Sequence, residues 1–424
     1  MFFSEFWLPG LLSELLNDKK LPANSNISNK DRRQPVLKLS TANAAAAGRD
    51  VRVKIDISNA PAGAKDVRLF RNGALVKVWR GDVLKGSGTA SLEANVPIIA
   101  GDNRFMAYAY NKDDIKSRDA AITVAGPPNL GRKGISYILA IGVNEYANTE
   151  YNLSQAVNDA DDFAGELRKQ QTKLGAAERV EVVALSDKNA TKANILKAIA
   201  ELATKIQPED WLTVFFAGHG IAKQNRFYLI PHDLGYAGSR GESNAATVQT
   251  IIDHSISDEE LDRAVESIDA GQILLVIDAC NSGQALEADE KRRGPMNSKG
   301  LAQLAYEKGM YILTAAQSYQ NAIENERLGH GYLTYALIEE GLKTNVADRE
   351  PKDGQILLRE WLDYATTRVP QIDQEELEKE GNKARQLERE KSKAGGQGAN
   401  RAPQRPRVFY RREAEANPFV VARP

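Results

Sequence analysis

Two short runs of branched apolar residues, each ending abruptly in a small polar turn, limit what this chain can fold into. Residues 272–283 read QILLVIDACNSG, and residues 211–220 read WLTVFFAGHG. Runs of roughly four to eight such residues, closed by a turn signal, are typical of parallel strands that are buried on both faces. Open α/β sheets carry their chemistry just beyond the carboxyl ends of such strands. The pattern therefore predicts that His219 and the only cysteine, Cys280, lie at two strand tips of one sheet.

The segments around these runs predict the rest of that sheet. Strands are expected at 137–143, 180–184, 211–217, 273–279 and 311–316, and helices at 153–167, 193–206, 258–268, 332–342 and 357–369. Alternation of this kind predicts an α/β fold with a mainly parallel sheet and helices on both faces. Because the residues GPP at 126–128 interrupt the chain before it, we expect this domain to span residues 130–370.

Upstream of this domain the hydrophobic period changes to two. Residues 51–57 (VRVKIDI) alternate apolar and polar side chains, and residues 67–79 contain two short strands around Asn72-Gly73, a strong hairpin signal. Further strands are expected at 89–96, 104–110 and 120–124, and no helical pattern interrupts them. Residues 36–126 are thus predicted to form a small antiparallel β-sandwich of immunoglobulin-like size. It holds no cluster of catalytic residue types, which favours a spacer or docking role.

The two ends of the chain have their own patterns. In residues 1–35, leucines at helical spacing predict a short amphipathic helix, followed by a polar linker. Glu5 and Glu14 interrupt the apolar run that an export signal would need. Residues 371–424 begin as a charged helix, continue as a flexible Gly-rich linker, and end in groups at 408–410 and 419–421 that are apolar enough to pack on the sheet.

Composition narrows the classes of partner. With 27% charged residues and a formal net charge of -1, the 424-residue chain has no bulk field to hold nucleic acid or an anionic membrane. No apolar run approaches the ~18 residues that would span a bilayer. A single cysteine cannot form an internal disulfide, so a reducing cytoplasm is the expected location. We therefore expect neither a nucleic-acid nor a membrane partner.

Cys280 and His219 together fit the needs of thiol catalysis. A thiol nucleophile needs a base that raises its thiolate fraction, and donors for the oxyanion formed on a carbonyl. His219 is the candidate base, and the backbone N–H groups of Gly220 and Cys280 are the candidate donors. A lone cysteine is more often a small core residue, and a lone histidine a satisfied polar one. Their joint position at strand ends of one predicted sheet favours catalysis.

The sequence motifs around His219 and Cys280 resemble those of a known protein family. AGHG ending at Gly220 and DACNSG beginning at Asp278 resemble the histidine and cysteine motifs of the caspase-like cysteine peptidases, and DAC is closer to metacaspases and bacterial orthocaspases than to the QAC of animal caspases. YILAIGVNEY, LSQAVNDADDF, RFYLIPHD, YILTAAQS and LGHGYLTYALIEEGL follow in the order that bacterial members show. The resemblance covers residues 136–369. Bacterial members often carry an immunoglobulin-like segment before the peptidase domain.

The resemblance implies attack by Cys280, acid–base work by His219 and an oxyanion hole made by the Gly220 and Cys280 amides. It also implies an acidic S1 pocket, because the metacaspase aspartates that hold a basic P1 side chain match Asp278 and Asp159 here. A guanidinium paired with carboxylates away from bulk water is a strong, directional contact. The alternative is that Asp278 caps its turn and Asp159 is a surface residue of its helix.

The function implied is that of a cysteine-type endopeptidase that cleaves after arginine or lysine through a thioester, without a cofactor. Protein or peptide substrates are its expected partners, and a further protein partner for the N-terminal helix or the sandwich stays open. The competing interpretation is a caspase-fold scaffold with little or no turnover, against which the intact histidine and cysteine argue.

Other features qualify this resemblance. Ala217 stands where metacaspases tend to have serine, which bears on the S1 match and leaves the catalytic pair untouched. No counterpart of the metacaspase calcium site is visible, and His232 and His254 lack metal-like spacing with each other or with Cys280. No metal site is therefore expected, and calcium dependence stays open. His330 follows the last core strand and is predicted to have a structural or loop role.

Residues 284–300, QALEADEKRRGPMNSKG, are long for a connection in an α/β unit, where roughly two to six residues are usual. Exposed polar loops are preferred sites of nicking, and relatives are often processed in the corresponding linker. We expect self-cleavage after Arg292 or Arg293, with Lys291 and Lys299 as lesser candidates. The alternative is a solvated basic loop in a protein that acts uncut.

Overall fold

The computed structural model describes residues 27–42, 48–223, 226–240, 244–281, 299–315, 324–325, 328–390, 404–410 and 419–423. The predicted N-terminal helix lies outside these ranges, as do residues 284–298 of the predicted loop, including Arg292 and Arg293, whereas Lys299, expected in that loop, begins a helix. Among the helices within them, none is both long and apolar enough to cross a membrane.

The N-terminal part of the chain consists of two antiparallel sheets. A short 3₁₀ turn (Ile27–Asn29) precedes strands β1 (Val36–Ala42), β2 (Asp50–Ser58), β3 (Lys65–Arg71), β4 (Ala74–Asp82), β5 (Ala90–Pro97), β6 (Gly101–Tyr110) and β7 (Ala120–Gly126). One sheet contains β1, β2 and β5, and the other contains β4, β3, β6 and β7. The antiparallel pairing and its position in the chain confirm the predicted β-sandwich.

Side-chain alternation accounts for the core of the sandwich. Successive side chains of a strand leave opposite faces, so β2 buries Val51, Val53 and Ile55 in one core with residues of the second sheet. At Asn72-Gly73 both residues have positive φ (51° and 89°), the conformation that a two-residue hairpin turn requires. This turn joins β3 to β4, in agreement with the sequence.

From Ser136 onward, strands alternate with helices. The strands are β8 (Ser136–Gly142), β9 (Val180–Ser186), β10 (Trp211–Lys223), β11 (Arg226–Ile230), β12 (Ile256–Ser257), β13 (Gln272–Asn281), β14 (Tyr311–Thr314), β15 (Glu324–Asn325), β16 (His330–Gly331), β17 (Ile356–Leu357), β18 (Arg407–Phe409) and β19 (Val420–Ala422). The helices are α1 (Ala156–Leu174), α2 (Lys192–Lys205), α3 (Ala245–His254), α4 (Asp258–Glu266), α5 (Lys299–Lys308), α6 (Tyr332–Tyr335), which continues as a π-helical stretch (Ala336–Lys343), and α7 (Leu358–Glu390). Short 3₁₀ turns lie at Pro128–Leu130, Thr149–Tyr151 and Asp187–Asn189.

The central sheet is parallel in the order β9, β8, β10, β13, β14, with β18 antiparallel at the edge beside β14. Strand β10 is longer than the sequence predicts because two neighbours share it. Its residues 211–217 pair with β8, and its residues 219–223 pair with the antiparallel β11. This arrangement leaves the end of β10 between β11 and β13.

Helices cover both faces of this sheet, as predicted. Along β10, Leu212 and Phe216 contribute to a core with α2, α3, α4 and α5, whereas Phe215 and Ala217 contribute to a core with α1, α7 and the π-helical stretch. A strand that is buried on both faces must be apolar at every position, which explains the continuous run in the sequence. The predicted α/β architecture is confirmed.

The C-terminal part departs from the prediction in one place. Pro370 was expected to end a helix, but it lies inside α7, which runs on to Glu390. Proline removes a helical hydrogen bond, yet Val369 and Ile372 on either side are buried, and the backbone N–H of Gln404 donates to the buried Asp373 carboxylate. These contacts hold the helix beyond the proline. The apolar groups near the C-terminus form β18 and β19, as expected.

One ion pair and one buried lysine join the sandwich to the α/β domain. The Arg71 guanidinium contacts both carboxylate oxygens of Asp269, at 3.0 and 2.8 Å. The Lys308 ammonium donates to the carbonyls of Leu75, Glu266 and Ile268 at 3.1, 3.0 and 2.8 Å. Asp269 lies just before β13, so the sandwich is attached near the amino ends of the strands. The carboxyl ends, where the predicted site lies, face the other way.

Candidate active site

Strands β10 and β13 bring His219 and Cys280 to the same level of the sheet. Their parallel register makes the Cα atom of Cys280 the direct partner of the Cα atom of His219. Neighbouring strands lie about 4.8 Å apart. The two residues that the sequence assigns to catalysis, 61 positions apart (280 minus 219), are therefore adjacent at the carboxyl ends of two central strands.

A backbone carbonyl fixes the tautomer of His219. The Nε2 atom of His219 lies 2.8 Å from the carbonyl oxygen of Tyr151. Because a carbonyl oxygen only accepts, Nε2 carries the hydrogen, and Nδ1 is left with its lone pair. Nδ1 is buried and has no hydrogen-bond partner within the described ranges. This nitrogen is the one that can accept a proton.

Aromatic side chains pack against the His219 ring, which is buried. The Tyr146 ring stacks on it with centroids 5.0 Å apart, and the backbone N–H of His219 donates to the Tyr146 hydroxyl at 2.8 Å. Burial lowers the pKa of His219 to about 4, and the nearby Arg240 guanidinium adds to that effect. His219 is therefore an uncharged base at neutral pH. Sequence reasoning missed Tyr146 and Tyr151, since one acts through its ring and the other through its backbone.

Gly220 lies where a side chain would be crowded by its neighbours. A Cβ atom at this position would be 3.0 Å from the Phe227 ring and 3.4 Å from the Ala279 Cβ atom. Its Cα partner in β13 is Asn281, one position beyond Cys280. The assignment of the Gly220 and Cys280 N–H groups to an oxyanion hole stays a prediction.

Two carboxylates converge beside this pair. Asp159, in the first turn of α1, is 4% exposed, and Asp278, in β13, is 6% exposed. A Cβ atom built on Gly331 would be 3.0 Å from Oδ2 of Asp278 and 3.2 Å from Oδ2 of Asp159. Both carboxylates therefore face the space that the missing side chain of Gly331 leaves. The alternative that placed Asp159 on the helix surface does not hold.

One short segment, residues 330–334, donates hydrogen bonds to both carboxylates. The backbone N–H of Gly331 donates to Asp159 at 3.1 and 3.3 Å. The Thr334 hydroxyl and backbone N–H donate to Oδ2 of Asp278 at 2.6 and 3.2 Å. His330 adds an ion pair, with its Nδ1 atom 2.9 Å from Oδ1 of Asp159. This segment, in which the sequence analysis gave only His330 a structural role, thus lies against both candidate S1 carboxylates.

The charge of this pocket is negative but partly compensated. Burial raises the pKa of Asp278, and the neighbouring Asp159 charge raises it further, while the Thr334 hydrogen bonds and the charge of His330 oppose this effect. The hydrogen bond to Asp159 raises the pKa of His330 above its usual value. Such a pair of buried carboxylates favours a cationic ligand.

The pocket and the catalytic pair share the same two strands. Asp278 lies two residues before Cys280, and its Cα partner in β10 is Ala217, two residues before His219. Ala217 is buried and places a methyl group where metacaspases tend to have a serine hydroxyl. Across the part of the chain that the structure describes, no group of three or more His, Cys, Asp or Glu side chains is arranged to hold a metal ion.

Comparison with known proteins agrees with this geometry. The model of the Caspase domain family (Peptidase C14) matches residues 135–392. Inactive metacaspase-4 of Trypanosoma brucei brucei is 40% identical over 96 residues, which cover 21% of this chain and 26% of that protein. Metacaspase-1 of Eremothecium gossypii is 30% identical over 159 residues, 35% of this chain and 32% of that protein. The chain thus spans about a quarter and a third of the length of these two relatives.

Solved structures match portions of the chain at low sequence identity. A crystal structure of a Geobacter sulfurreducens protein has a TM-score of 0.37 at 15% identity, and covers 55% of this chain and 89% of that one. Fibronectin(III)-like modules of CbhA from Clostridium thermocellum have a TM-score of 0.18 at 16% identity, and cover 22% of this chain and 97% of that one. The family model matches more than half of the chain, and we conclude that this protein belongs to the caspase domain family, Peptidase C14.

Proposed function

We propose that this protein is a cysteine endopeptidase that cleaves peptide bonds after arginine or lysine. The observation that carries the proposal is the convergence of the buried Asp159 and Asp278 carboxylates beside His219 and Cys280 on neighbouring strands. A neutral histidine with one free ring nitrogen supplies the base, and the carboxylates supply the specificity. Neither feature alone would support an enzyme of this class.

In the proposed reaction the sulfur of Cys280 attacks the scissile carbonyl carbon, and the thiol proton moves to Nδ1 of His219. Backbone N–H groups of Gly220 and Cys280 stabilise the oxyanion. The imidazolium then protonates the leaving amine, which departs and leaves a thioester on Cys280. A water molecule, deprotonated by His219, hydrolyses the thioester and restores the thiol. The Tyr151 carbonyl keeps Nε2 protonated throughout, so one nitrogen performs every transfer.

Specificity for a basic P1 residue follows from the charge of the pocket. An arginine guanidinium can pair with two carboxylates at once, and a lysine ammonium binds as a point charge. A P1 aspartate would place a third carboxylate beside Asp159 and Asp278, which is strongly unfavourable. The substrates are therefore proteins or peptides with exposed basic residues, and the single cysteine suits a reducing compartment such as the cytoplasm.

The second candidate function is a caspase-fold scaffold without turnover. One specific observation favours it, since the relative that is 40% identical over its matched segment is named an inactive metacaspase. The present chain retains both His219 and Cys280, and the structure leaves Nδ1 of His219 without a competing hydrogen bond in the described ranges. A scaffold needs neither feature, so we rank the peptidase first.

Hydrolysis of matched fluorogenic peptides tests the proposal. The peptides differ only at P1, which is arginine, lysine or aspartate, and each is assayed with calcium and with a chelator. We expect turnover of the arginyl and lysyl peptides by the wild type, none of the aspartyl peptide, and none of any peptide by Cys280→Ala. Absence of turnover in every condition would favour the scaffold, and preferred cleavage after aspartate would overturn the pocket assignment.

Self-processing in residues 284–300 is a further part of the proposal. The segment carries Lys291, Arg292 and Arg293, which are the P1 types that the acidic pocket should accept. We expect cleavage after Arg292 or Arg293 in the wild type and an uncut chain in Cys280→Ala. Intact-mass analysis of both proteins decides the matter. A single full-length species in both, under conditions of active peptide hydrolysis, would show that this enzyme acts uncut.

A further inference from the structure

His330 is the charged group of the candidate pocket that the proposed mechanism does not use. It is 7% exposed, and its Nδ1 atom contacts Asp159 at 2.9 Å. On the other side of the ring, Nε2 lies 3.4 Å from Oε1 of Glu339 and 3.7 Å from Oδ2 of Asp162. A neutral imidazole donates through one nitrogen only, whereas the imidazolium donates through both. This setting favours the protonated ring.

The groups that face His330 come from each element packed around it. Helix α1 contributes Asp159 and Asp162, and the π-helical stretch contributes Glu339, which is itself paired with Lys343. Strand β13 contributes Asp278 through the shared pocket. Strand β15 contributes the backbone pairing of Asn325 with His330 and of Glu324 with Gly331. Within the described ranges, the charged groups paired with the ring are carboxylates, and Lys343 is paired with one of them, Glu339.

Two buried carboxylates that face one small space repel each other, and such a pair tends to retain a proton. A pocket that retains this proton has lost half of its charge for a P1 cation. A fixed positive charge beside one carboxylate opposes the uptake of the proton. His330 occupies that position: it is bound to Asp159, and its charge also acts on Asp278.

We propose that His330 is the counter-ion that favours the joint ionisation of Asp159 and Asp278, and that it thereby sets the lower pH limit at which the enzyme accepts a basic P1 residue. This inference rests on the proposed function, because it assigns a role within the same S1 pocket. His330 acts through the two aspartates and is a positioning residue rather than a catalytic one. Its charge determines specificity by determining theirs.

The sign of the effect follows from the direction of each shift. The pKa of His330 is raised, so the imidazolium persists to a higher pH than usual and disappears only above that raised value. While it persists, its charge opposes part of the rise in the pKa of Asp278, which burial and Asp159 still raise to about 7. Without it, Asp278 takes up a proton at a higher pH, and the pocket fails for P1 arginine earlier as the pH falls. On the alkaline side the ring is neutral and its loss should not matter.

The test is the pH profile of His330→Asn beside the wild type, measured as kcat and KM for a P1-arginine fluorogenic peptide from about pH 5 to 9. The Asn amide can donate to Asp159 in place of Nδ1 but carries no charge. We expect the acid limb of kcat/KM to move to higher pH by about one unit, through KM rather than kcat, and the profiles to merge at alkaline pH. His254→Gln, an exposed histidine on α3, should follow the wild type.

A second variant tests the same inference if the first does not fold. Asp162→Asn removes a half-exposed carboxylate from the far side of the ring, so it should fold normally and move the acid limb in the same direction by less. A folded His330→Asn whose profile coincides with the wild type, or falls equally at every pH, overturns the inference while P1-arginine cleavage stands. If thermal unfolding shows His330→Asn to be unfolded, coincidence of Asp162→Asn with the wild type overturns it. No cleavage after arginine by the wild type at any pH overturns the proposed function and this inference together.

Discussion

The two buried histidines of the candidate site, His219 and His330, have opposite electrostatic states. His219 hydrogen-bonds a carbonyl, stacks on Tyr146 and is neutral, because burial lowers its pKa to about 4. His330 contacts a carboxylate on one side and faces two more on the other, so its pKa is raised. Burial is similar, at 2% and 7% exposure. The partner of the ring, more than its depth, decides the charge.

This difference separates two tasks that would otherwise interfere. A base must be uncharged to accept a proton, and a counter-ion must be charged to balance a carboxylate. Placing both on one histidine would make proton transfer depend on occupation of the specificity pocket. With His219 on β10 and His330 on β16, each titrates in its own surroundings. The following substitutions test whether the separation is real, beginning with the largest expected effect.

Cys280→Ala and His219→Ala should each abolish nearly all turnover of a P1-arginine peptide, a loss of at least about 10³-fold in kcat. The double variant should lose no more than either single one, since both residues act in one step. His330→Asn, in contrast, should retain kcat near the wild-type value at alkaline pH. A Cys280→Ala variant with wild-type turnover would remove the basis of the peptidase proposal. Circular dichroism of each variant verifies the fold.

Asp278→Ala should lower kcat/KM for P1 arginine by an order of magnitude or more, because losing one partner of a buried charge pair costs roughly 2 to 5 kcal/mol. The reaction at Cys280 should survive with a slower rate. Asp161→Asn, on the exposed side of α1, is the matched control and should leave kcat/KM unchanged. Equal losses in the two variants, or cleavage after aspartate by the wild type, would contradict the assignment of Asp278 to the S1 pocket.

Gly331→Ala tests the shape of the pocket rather than its charge. The added methyl group would lie 3.0 and 3.2 Å from the two carboxylate oxygens, where a guanidinium should bind. We expect KM for P1 arginine to rise by several-fold to tenfold, in line with the roughly 1 to 3 kcal/mol of an overpacked site, while kcat changes little. Gly165→Ala in α1 meets no atom within 4 Å and serves as the control. An unchanged KM in Gly331→Ala would place the P1 side chain elsewhere.

The smallest effect concerns the pH dependence of kcat. The depressed pKa of His219 means that its neutral, active form is fully populated above about pH 5 and is lost only as the pH falls through about 4. For a saturating P1-arginine peptide, whose bound guanidinium favours the ionised carboxylates, kcat should therefore vary by less than about twofold between pH 5.5 and 7.5. A limb near pH 6.5 would indicate an ordinary, solvated histidine instead.

Local pattern was enough to predict the central strands and helix α2. The apolar run of β10 is continuous because both faces are covered, and Thr191 caps α2 by accepting from the Asn194 N–H. Pattern also brought Cys280 and His219 to neighbouring strands, but His219 lies inside β10, which runs on to Lys223, rather than at its tip. The roles of Asp159 and Asp278 came from the resemblance alone, because no spacing rule links a helix residue to a strand residue so far along the chain.

The rest of the site had no local signature. The Tyr151 carbonyl that orients His219 belongs to the backbone, so any residue type would supply it. His330 meets Asp159 across 171 positions, and Thr334 meets Asp278 across 56. From its position after the last core strand, the sequence predicted a structural or loop role for His330 and not a place beside Asp159. Proline usually ends a helix, so the sequence predicted a helix that stops at residue 369. Buried residues on either side of Pro370 stabilise the helix beyond that point.

Covalent labelling of Cys280 tests the central claim most directly. Two peptidyl acyloxymethyl ketones, identical except for arginine or aspartate at P1, alkylate a cysteine nucleophile only after the P1 side chain has bound. Mass spectrometry then reports the rate of adduct formation on the single cysteine of the chain. The account predicts one adduct on Cys280, formed at least about ten times faster with the arginyl probe and slowed by Asp278→Ala. Equal rates with the two probes, or faster labelling by the aspartyl one, would contradict it.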